Sequence, residues 1–178
     1  KSDPEFLHES LTKSVYELFH MLMQQPTPVP TWNAEALDLL KQHYQEDHGA
    51  YQGLVDQMDD VDQEIDTMDI RQKLKPLETR LKQLQTAIQV SEQFIEMQTS
   101  IQRNIVTVKQ LYQQLEPQAE HQRLEVQVEH LMDSCDALAD QLDNFEGQGH
   151  NLKGLIRQYE QLILMVETFH DRFDETAS

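Results

Sequence analysis

The chain has 178 residues, with 32 acidic against 14 basic side chains, which gives a formal net charge of −18. A field of this sign repels nucleic acid and anionic membrane surfaces, so the composition argues against both as partners. One cysteine excludes an internal disulfide, and the small numbers of glycine (5) and proline (6) favour long helices.

The first thirty residues predict three short segments. Residues 1–6 (KSDPEF) look like a cloning remnant, which makes the chain an excised fragment of a longer protein. A short amphipathic helix is predicted over residues 7–25, with Asp3 and Pro4 suited to its cap and first turn. Residues 26–31 hold three prolines at alternate positions, which forbid a helix and predict a semi-rigid, Pro-rich linker, with a polyproline-type ligand for an adaptor domain as the alternative.

Residues 32–178 are predicted to form an elongated helical bundle or coiled coil. Its first helix starts near Trp32, with Thr31 or Asn33 as cap, and has an apolar stripe that continues to Met68. Asp47 falls on this stripe, where a polar residue can fix helix register at a cost in stability. Breaks are predicted near 69–76, 117 and 147–154.

The three breaks differ in how strongly they are marked. At 69–76 the sequence allows either a turn or a kink, with a capping-box-like Asp69/Gln72 pair and a second helix start at Pro76. Pro117 should stop or kink the following helix. At 147–154 several glycines indicate a break, but the apolar phase passes through unchanged. The phase favours a flexible, roughly continuous rod, with a hairpin as the alternative.

The strongest pattern is an apolar series between residues 124 and 173, in which steps of four and three alternate. Such spacing keeps one helix face apolar along its whole length, and that face needs a partner helix. The series predicts an interaction seam made by Leu124, Val128, Leu131, Cys135, Leu138, Leu142, Phe145, Ile156, Tyr159, Ile163 and Val166.

An acidic stretch at residues 56–69 holds seven carboxylates and no basic residue. A solvated helix face is the simpler interpretation, and a docking face for a basic protein partner is the functional one. The alternating acids imitate the start of a calcium loop, but Ile65 and Arg71 stand where that loop needs glycine and glutamate. The docking face would comprise Asp56, Asp59, Asp60, Asp62 and Asp66.

Two Glu-x-x-His motifs, Glu17/His20 and Glu167/His170, each place a carboxylate and an imidazole on one helix face. In some four-helix bundles two such motifs and two further glutamates hold a di-iron site, so a metal-binding bundle is the alternative function. Solvent-facing pairs are the simpler interpretation, and neither a metal nor another cofactor is expected. Cys135 is expected to be a buried apolar group rather than a reactive thiol.

The predicted fold class is therefore all-α: an elongated helical bundle or coiled coil of long antiparallel helices, open to completion by a second chain. Helix length and heptad style resemble chained three-helix repeats of the spectrin type, and equally the dimeric coiled-coil subunits of tethering, nuclear-pore or kinetochore complexes. Spectrin-type repeats usually place a tryptophan inside their first helix, whereas Trp32 stands at a helix start.

The expected function is that of a non-enzymatic scaffold or adaptor from a larger cytoskeletal or multi-subunit assembly. It would mediate protein–protein interaction and oligomerisation with other helical chains, as a homodimer or a hetero-coiled-coil. The sequence contains neither a catalytic motif nor a continuous apolar stretch of membrane-spanning length. An intracellular, cytoplasmic protein without membrane insertion is therefore expected, because the lack of a cysteine framework fits a reducing compartment.

Overall fold

The structure is a computed structural model that describes residues 3–115 and 121–177. This described part forms helices and no strand, which confirms the predicted all-α fold and its long helices. Nowhere in it does a helix combine the length and apolar character needed to cross a membrane. The helices are α1 (Pro4–Gln24), α2 (Ala34–Val61), α3 (Met68–Lys73), α4 (Lys75–Gln114), α5 (His121–Gly147) and α6 (Lys153–Ala177).

The chain divides after Ile95 into two compact units, residues 1–95 and 96–178. The first unit contains α1, α2, α3 and the beginning of α4. The second unit contains the rest of α4 together with α5 and α6. Helix α4 therefore contributes to both units.

The starts of α1 and α2 follow the local sequence as predicted. Asp3 accepts a hydrogen bond from the backbone N–H of Glu5 (3.2 Å). Asn33 accepts from the N–H groups of Glu35 (2.7 Å) and Ala36 (3.3 Å). Both side chains satisfy donors that a helix start leaves without an intrahelical partner.

In the first unit α2 and α4 are antiparallel. Trp32, just before α2, stacks on Phe94 with ring centroids 4.1 Å apart. Tyr51, further along α2, donates a hydrogen bond to the Glu78 carboxylate (2.6 Å) near the start of α4. Residue numbers therefore rise along α2 as they fall along α4, which is the arrangement of an antiparallel pair.

Helix α1 packs across α2 and α3 and runs antiparallel to α2. His8 lies 3.0 Å from Asp69, whereas the carbonyl of Gln25 accepts a hydrogen bond from Arg80 (2.7 Å). Burying a side chain such as leucine or valine stabilises a fold by about 1.5–3 kcal/mol, so the apolar face of α1 is a large part of this core. The core contains Leu11, Val15, Leu18, Leu22, Leu54, Met58, Ile70, Leu74 and Leu77.

The predicted break near 69–76 is a turn followed by a kink. Helix α2 ends at Val61, and the turn is complete before α3, whose N-cap is Thr67. The expected capping box at Asp69 is wrong, because Asp69 lies inside the first turn of α3. The N–H of Met68 instead donates to the Asp66 carboxylate (3.0 Å). Since the chain has already turned, Met68 is exposed rather than part of the α2 stripe.

The second unit contains a true reversal between α5 and α6, so the expectation of a roughly continuous rod is wrong and the hairpin alternative is confirmed. Gly149 has φ +90°, a conformation that side-chain-bearing residues rarely adopt. The N–H of Gly149 donates to Glu146 O (3.0 Å), and that of His150 donates to Phe145 O (3.2 Å). This pair of bonds is a Schellman motif, which ends a helix and redirects the chain.

The remaining part of α4 packs against this hairpin. Asn104 donates to the hydroxyl of Ser134 on α5 (3.0 Å), and the Tyr112 ring meets the edge of Phe169 on α6, with centroids 5.2 Å apart. The predicted break at Pro117 lies outside the described residues, between the end of α4 and the start of α5. The interior of the unit includes Met97, Ile101, Val108, Leu111, Leu152 and Phe173.

Candidate functional site

The predicted seam lies on α5 and α6, and its α5 part is fully buried. The α5 side chains are between 2% and 7% exposed, so this stripe exists as predicted. It is covered by helices of the same chain, which leaves no room on it for a second chain. The buried α5 members are Leu124, Val128, Leu131, Cys135, Leu138, Leu142 and Phe145.

On α6 two of the buried positions lie one residue earlier in the sequence than predicted. Leu155 and Leu162 are buried, whereas the predicted Ile156 and Ile163 are only half-buried. Val166 is buried as expected. Both series have the same heptad spacing, so spacing alone could not decide between them. The half-buried isoleucines form an apolar edge beside the core stripe.

Tyr159 and Cys135, two seam members, contact one another across the α5–α6 hairpin. The Tyr159 hydroxyl donates to the backbone carbonyl of Cys135 (3.1 Å). Burial raises the pKa of the Cys135 thiol to about 11, and nearby Asp136 adds to this. A thiol with such a pKa is almost entirely protonated at neutral pH, which fits the expected role of Cys135 as an inert core residue.

The acidic face is exposed, but it is less negative than the sequence indicated. Arg71, from α3, donates to the carboxylates of Asp59 (2.8 Å) and Asp62 (2.7 Å). Residues 56–69 contain no basic side chain themselves, but the turn at 62–67 brings Arg71 back onto the end of α2, where it offsets two of these acids. Asp62 also accepts a hydrogen bond from Thr67.

The other predicted docking residues, Asp56, Asp60 and Asp66, are exposed. Asp56 accepts a hydrogen bond from the side chain of Gln52 one turn earlier (3.0 Å). Asp66 accepts one from the N–H of Met68, the first residue of α3. The structure therefore divides the predicted face. Asp59 and Asp62 hold the turn together, and Asp56 and Asp60 point their charge to solvent.

The Pro-rich linker forms a strap along the first unit, which we define as residues 25–31. Arg80 donates to the carbonyls of both Gln25 (2.7 Å) and Pro26, at one end of the strap. At the other end the N–H of Thr31 donates to the hydroxyl of Ser91 (2.8 Å). Arg80 and Ser91 are both buried. Sequence reasoning missed these two anchors, because their only signal is a polar residue on an otherwise apolar face.

The length of the strap matches the helix beneath it. Five extended residues at about 3.1 Å each, from Pro26 to Thr31, span roughly 16 Å. The eleven residues from Arg80 to Ser91 rise by about 16 Å along α4 at 1.5 Å per residue. A polyproline-type conformation therefore keeps the strap in register with its two anchors.

A cavity of about 410 Å³ lies beside the strap, and its walls are largely apolar. One wall is the strap itself, where Val29 is 68% exposed, and the facing wall is α2, where Leu39 is 57% exposed. Arg80 and Leu84 of α4 line it as well. The cavity is an open groove between an extended segment and two helices, a shape suited to a peptide segment.

Asp47, the acidic member of the α2 stripe, is buried close to the first strap anchor. It is 3% exposed, and one of its carboxylate oxygens finds no hydrogen-bond partner in the described part of the chain. Burial raises the pKa of Asp47, although His43, the Gln25 side chain and Arg80 oppose that shift. Arg80 Nε is likewise buried without a partner among the described residues.

The two Glu-x-x-His motifs lie in different units. On α1 the His20 ring contacts the ring of Tyr16, with centroids 4.5 Å apart. On α6 the Nδ1 atom of His170 lies 3.3 Å from the carboxylate of Asp174. Within residues 3–115 and 121–177, three or more histidine, cysteine or acidic side chains do not come together in a group able to hold a metal ion.

Comparison with known proteins found no match: no protein-family model, no curated protein and no solved structure matches this chain.

Proposed function

We propose that the chain is a non-enzymatic scaffold or adaptor that joins other helical chains through its helices. The main support comes from the edge of α6. After the second unit has closed its own core, Ile156 and Ile163 remain half-buried seven residues apart, and Leu164 beside them is 66% exposed. An apolar edge with heptad spacing is a surface against which a helix of a second chain packs.

A homodimer or a hetero-coiled-coil through this edge would use Ile156 and Ile163 of the predicted seam and not its α5 part. The α5 stripe is already covered, whereas the α6 edge retains apolar area. We further propose that a basic protein partner, where one binds, contacts Asp56 and Asp60, whose carboxylates are not held by Arg71. Such rim charges mainly affect association rate and salt dependence.

The proposal extends to a place in a larger cytoskeletal or multi-subunit assembly in the cytoplasm. The feature that supports this part is the continuation of α4 from the first unit into the second, since chained helical units present extended binding surfaces. The single buried, protonated thiol is consistent with a reducing compartment.

Light scattering at several dilutions tests the self-association. We expect the mass of a dimer at high concentration, and we expect the double variant Ile156→Glu/Ile163→Glu to remain a monomer. Val126→Glu is the control, because Val126 is an apolar residue that is 55% exposed on a different helix, α5. Circular dichroism checks that each variant keeps its helices.

A wild-type chain that is monomeric at every concentration would refute the homodimer. Should the double variant dimerise as well as the wild type, the interface lies elsewhere. For a hetero-coiled-coil the same pair of variants is compared in binding to the captured partner. Loss of binding in the α6 variant, together with retention in Val126→Glu, supports the proposed edge.

A further inference from the structure

The strap shows which chemistry the groove between α2 and α4 recognises. Both anchors contact backbone rather than side-chain atoms: Arg80 donates to two consecutive carbonyls, and Ser91 accepts from one N–H. The Ser91 hydroxyl itself donates to Ala87 O (2.6 Å), so its lone pairs remain available to accept from the strap. Contacts of this kind select for an extended backbone and depend little on the side chains between the two anchors.

The prolines explain why this particular segment fits. Pro26, Pro28 and Pro30 have no N–H, so half of the donors that an extended segment would place near apolar walls are absent. Pro28 and Pro30 are half-buried in the unit. Proline also preorganises the extended conformation, which lowers the entropy lost on docking.

The first anchor of the strap is imperfectly satisfied, which lowers the free-energy cost of replacing the strap by another segment. Buried polar atoms on Arg80 and Asp47 lack protein partners in the described part of the chain, and both would gain water if the strap left. The cavity beside the strap already gives an incoming segment access to Leu39 and Leu84.

We propose that the groove between α2 and α4 of the first unit is a binding site for an extended proline-rich segment of another polypeptide, and that the strap occupies it as an internal ligand. The inference rests on the protein–protein interaction role proposed above and names a partner for the first unit. An internal segment has a high effective concentration, on the order of millimolar for a short linker, so an external segment binds only when the strap is displaced or weakened.

The test uses an acceptor variant in which residues 26–31 are replaced by a Gly/Ser sequence of equal length and Trp32 is changed to Phe. Because Trp32 is the one tryptophan of the chain, this acceptor has none. The probe is a synthetic peptide with the sequence of residues 24–33, whose tryptophan reports binding by fluorescence anisotropy. We expect saturable binding to the acceptor and none, at the same peptide concentrations, to a Trp32→Phe chain that keeps residues 26–31 and is likewise free of tryptophan.

Two controls identify the recognition chemistry. Arg80→Gln in the acceptor should weaken peptide binding at least about tenfold, because it removes charge-assisted bonds to two carbonyls. A peptide with alanine in place of its three prolines should also bind more weakly. Equal binding by the Arg80→Gln acceptor, or no binding by an acceptor that retains its helical circular dichroism and cooperative unfolding, would overturn the proposal.

If the acceptor fails to fold, the proposal is tested on the intact protein. A tryptophan-free version of the peptide, at concentrations above the millimolar effective concentration of the strap, should displace the strap and release Trp32 from Phe94, with a red shift of the Trp32 emission. An emission spectrum unchanged at the highest peptide concentration would also overturn the proposal. The peptide anisotropy and the Trp32 emission both report on the first unit. Their failure is therefore distinguishable from a failure of the light-scattering test, which concerns α6 in the second unit.

Discussion

Replacing Asp47 by asparagine should stabilise the first unit at neutral pH. Asp47 is 3% exposed, and one of its carboxylate oxygens has no partner within the described residues. A buried polar group left unsatisfied costs about 1–3 kcal/mol. Asparagine keeps the shape and still buries an amide, but it removes the charge that burial penalises most, so we expect a gain of about 1 kcal/mol, which is a shift of roughly 0.3–1 M in the urea midpoint.

The pH dependence follows from the direction of the shift. Because burial raises the pKa of Asp47 in the folded state, the folded chain holds this proton more tightly than the unfolded chain. The stability due to that proton is fully present below the ordinary pKa of about 3.9 and is lost as pH rises through the folded-state pKa. The advantage of Asp47→Asn should therefore be small at acidic pH and grow toward neutral pH.

Urea unfolding followed by Trp32 fluorescence is the assay, because Trp32 reports on the first unit. Asp56→Asn is the matched control on the same helix; its carboxylate is exposed, so we expect a change within about 0.5 kcal/mol. If Asp47→Asn is strongly destabilising at neutral pH, the reasoning fails. That result would mean that Asp47 and Arg80 act as a buried ion pair, whose disruption costs about 3–5 kcal/mol.

Three further predictions concern other sites. Gly149→Ala should destabilise the second unit by about 1 kcal/mol in thermal unfolding, because Gly149 has a positive φ, whereas Gly147→Ala inside α5 should be neutral or stabilising. Cys135 should react with a thiol reagent only after unfolding, and rapid labelling of the native protein would contradict its burial. Burial, together with the hydrogen-bonded Glu78 carboxylate, raises the pKa of Tyr51 to about 12; a spectrophotometric titration should show this, and Glu78→Gln should lower that pKa. The contribution of Tyr51 to stability is lost as pH rises from about 10 to about 12.

The sequence predicts those features that local chemistry decides. Asn33 caps α2 because its side chain reaches donors only two and three residues ahead, a relationship fixed by short-range geometry. The α5 stripe from Leu124 to Phe145 is buried because heptad spacing on a helix leaves one continuous apolar face. In both cases the information lies within a few turns of the residue concerned.

The phase of the α6 stripe needed information from other helices. The series through Leu155 and Leu162 and the series through Ile156 and Ile163 have identical spacing, and all four residues are good core formers. Only the packing of α6 against α4 and α5 selects the first series. The hairpin was not predicted for a related reason. Phe145 and Leu152, the apolar residues on either side of the reversal, are seven residues apart, so the heptad spacing continues through Gly149 although the chain turns there.

The strap contacts could not be predicted, because they join residues far apart in sequence. Arg80 contacts carbonyls 54 and 55 residues earlier, and Ser91 contacts an N–H 60 residues earlier. The linker itself was recognisable from its three prolines. Nothing in their spacing says which helix face they cover, since an extended segment has no apolar periodicity that must match a partner.

Asp47 and Asn104 are polar residues at buried positions, and they differ in a way that bears on function. Asn104, in the second unit, donates to Ser134 and lies 3.9 Å from the Cys135 sulfur, so its amide is satisfied and can fix the register of α4 on α5. Asp47 keeps one carboxylate oxygen without a partner among the described residues, which costs stability in the closed first unit. A closed structure that retains such a cost beside Arg80, at the junction of α1 and the strap, is easier to open there than at a satisfied contact. For this reason a site at which a partner segment displaces the strap is expected in the first unit rather than in the second.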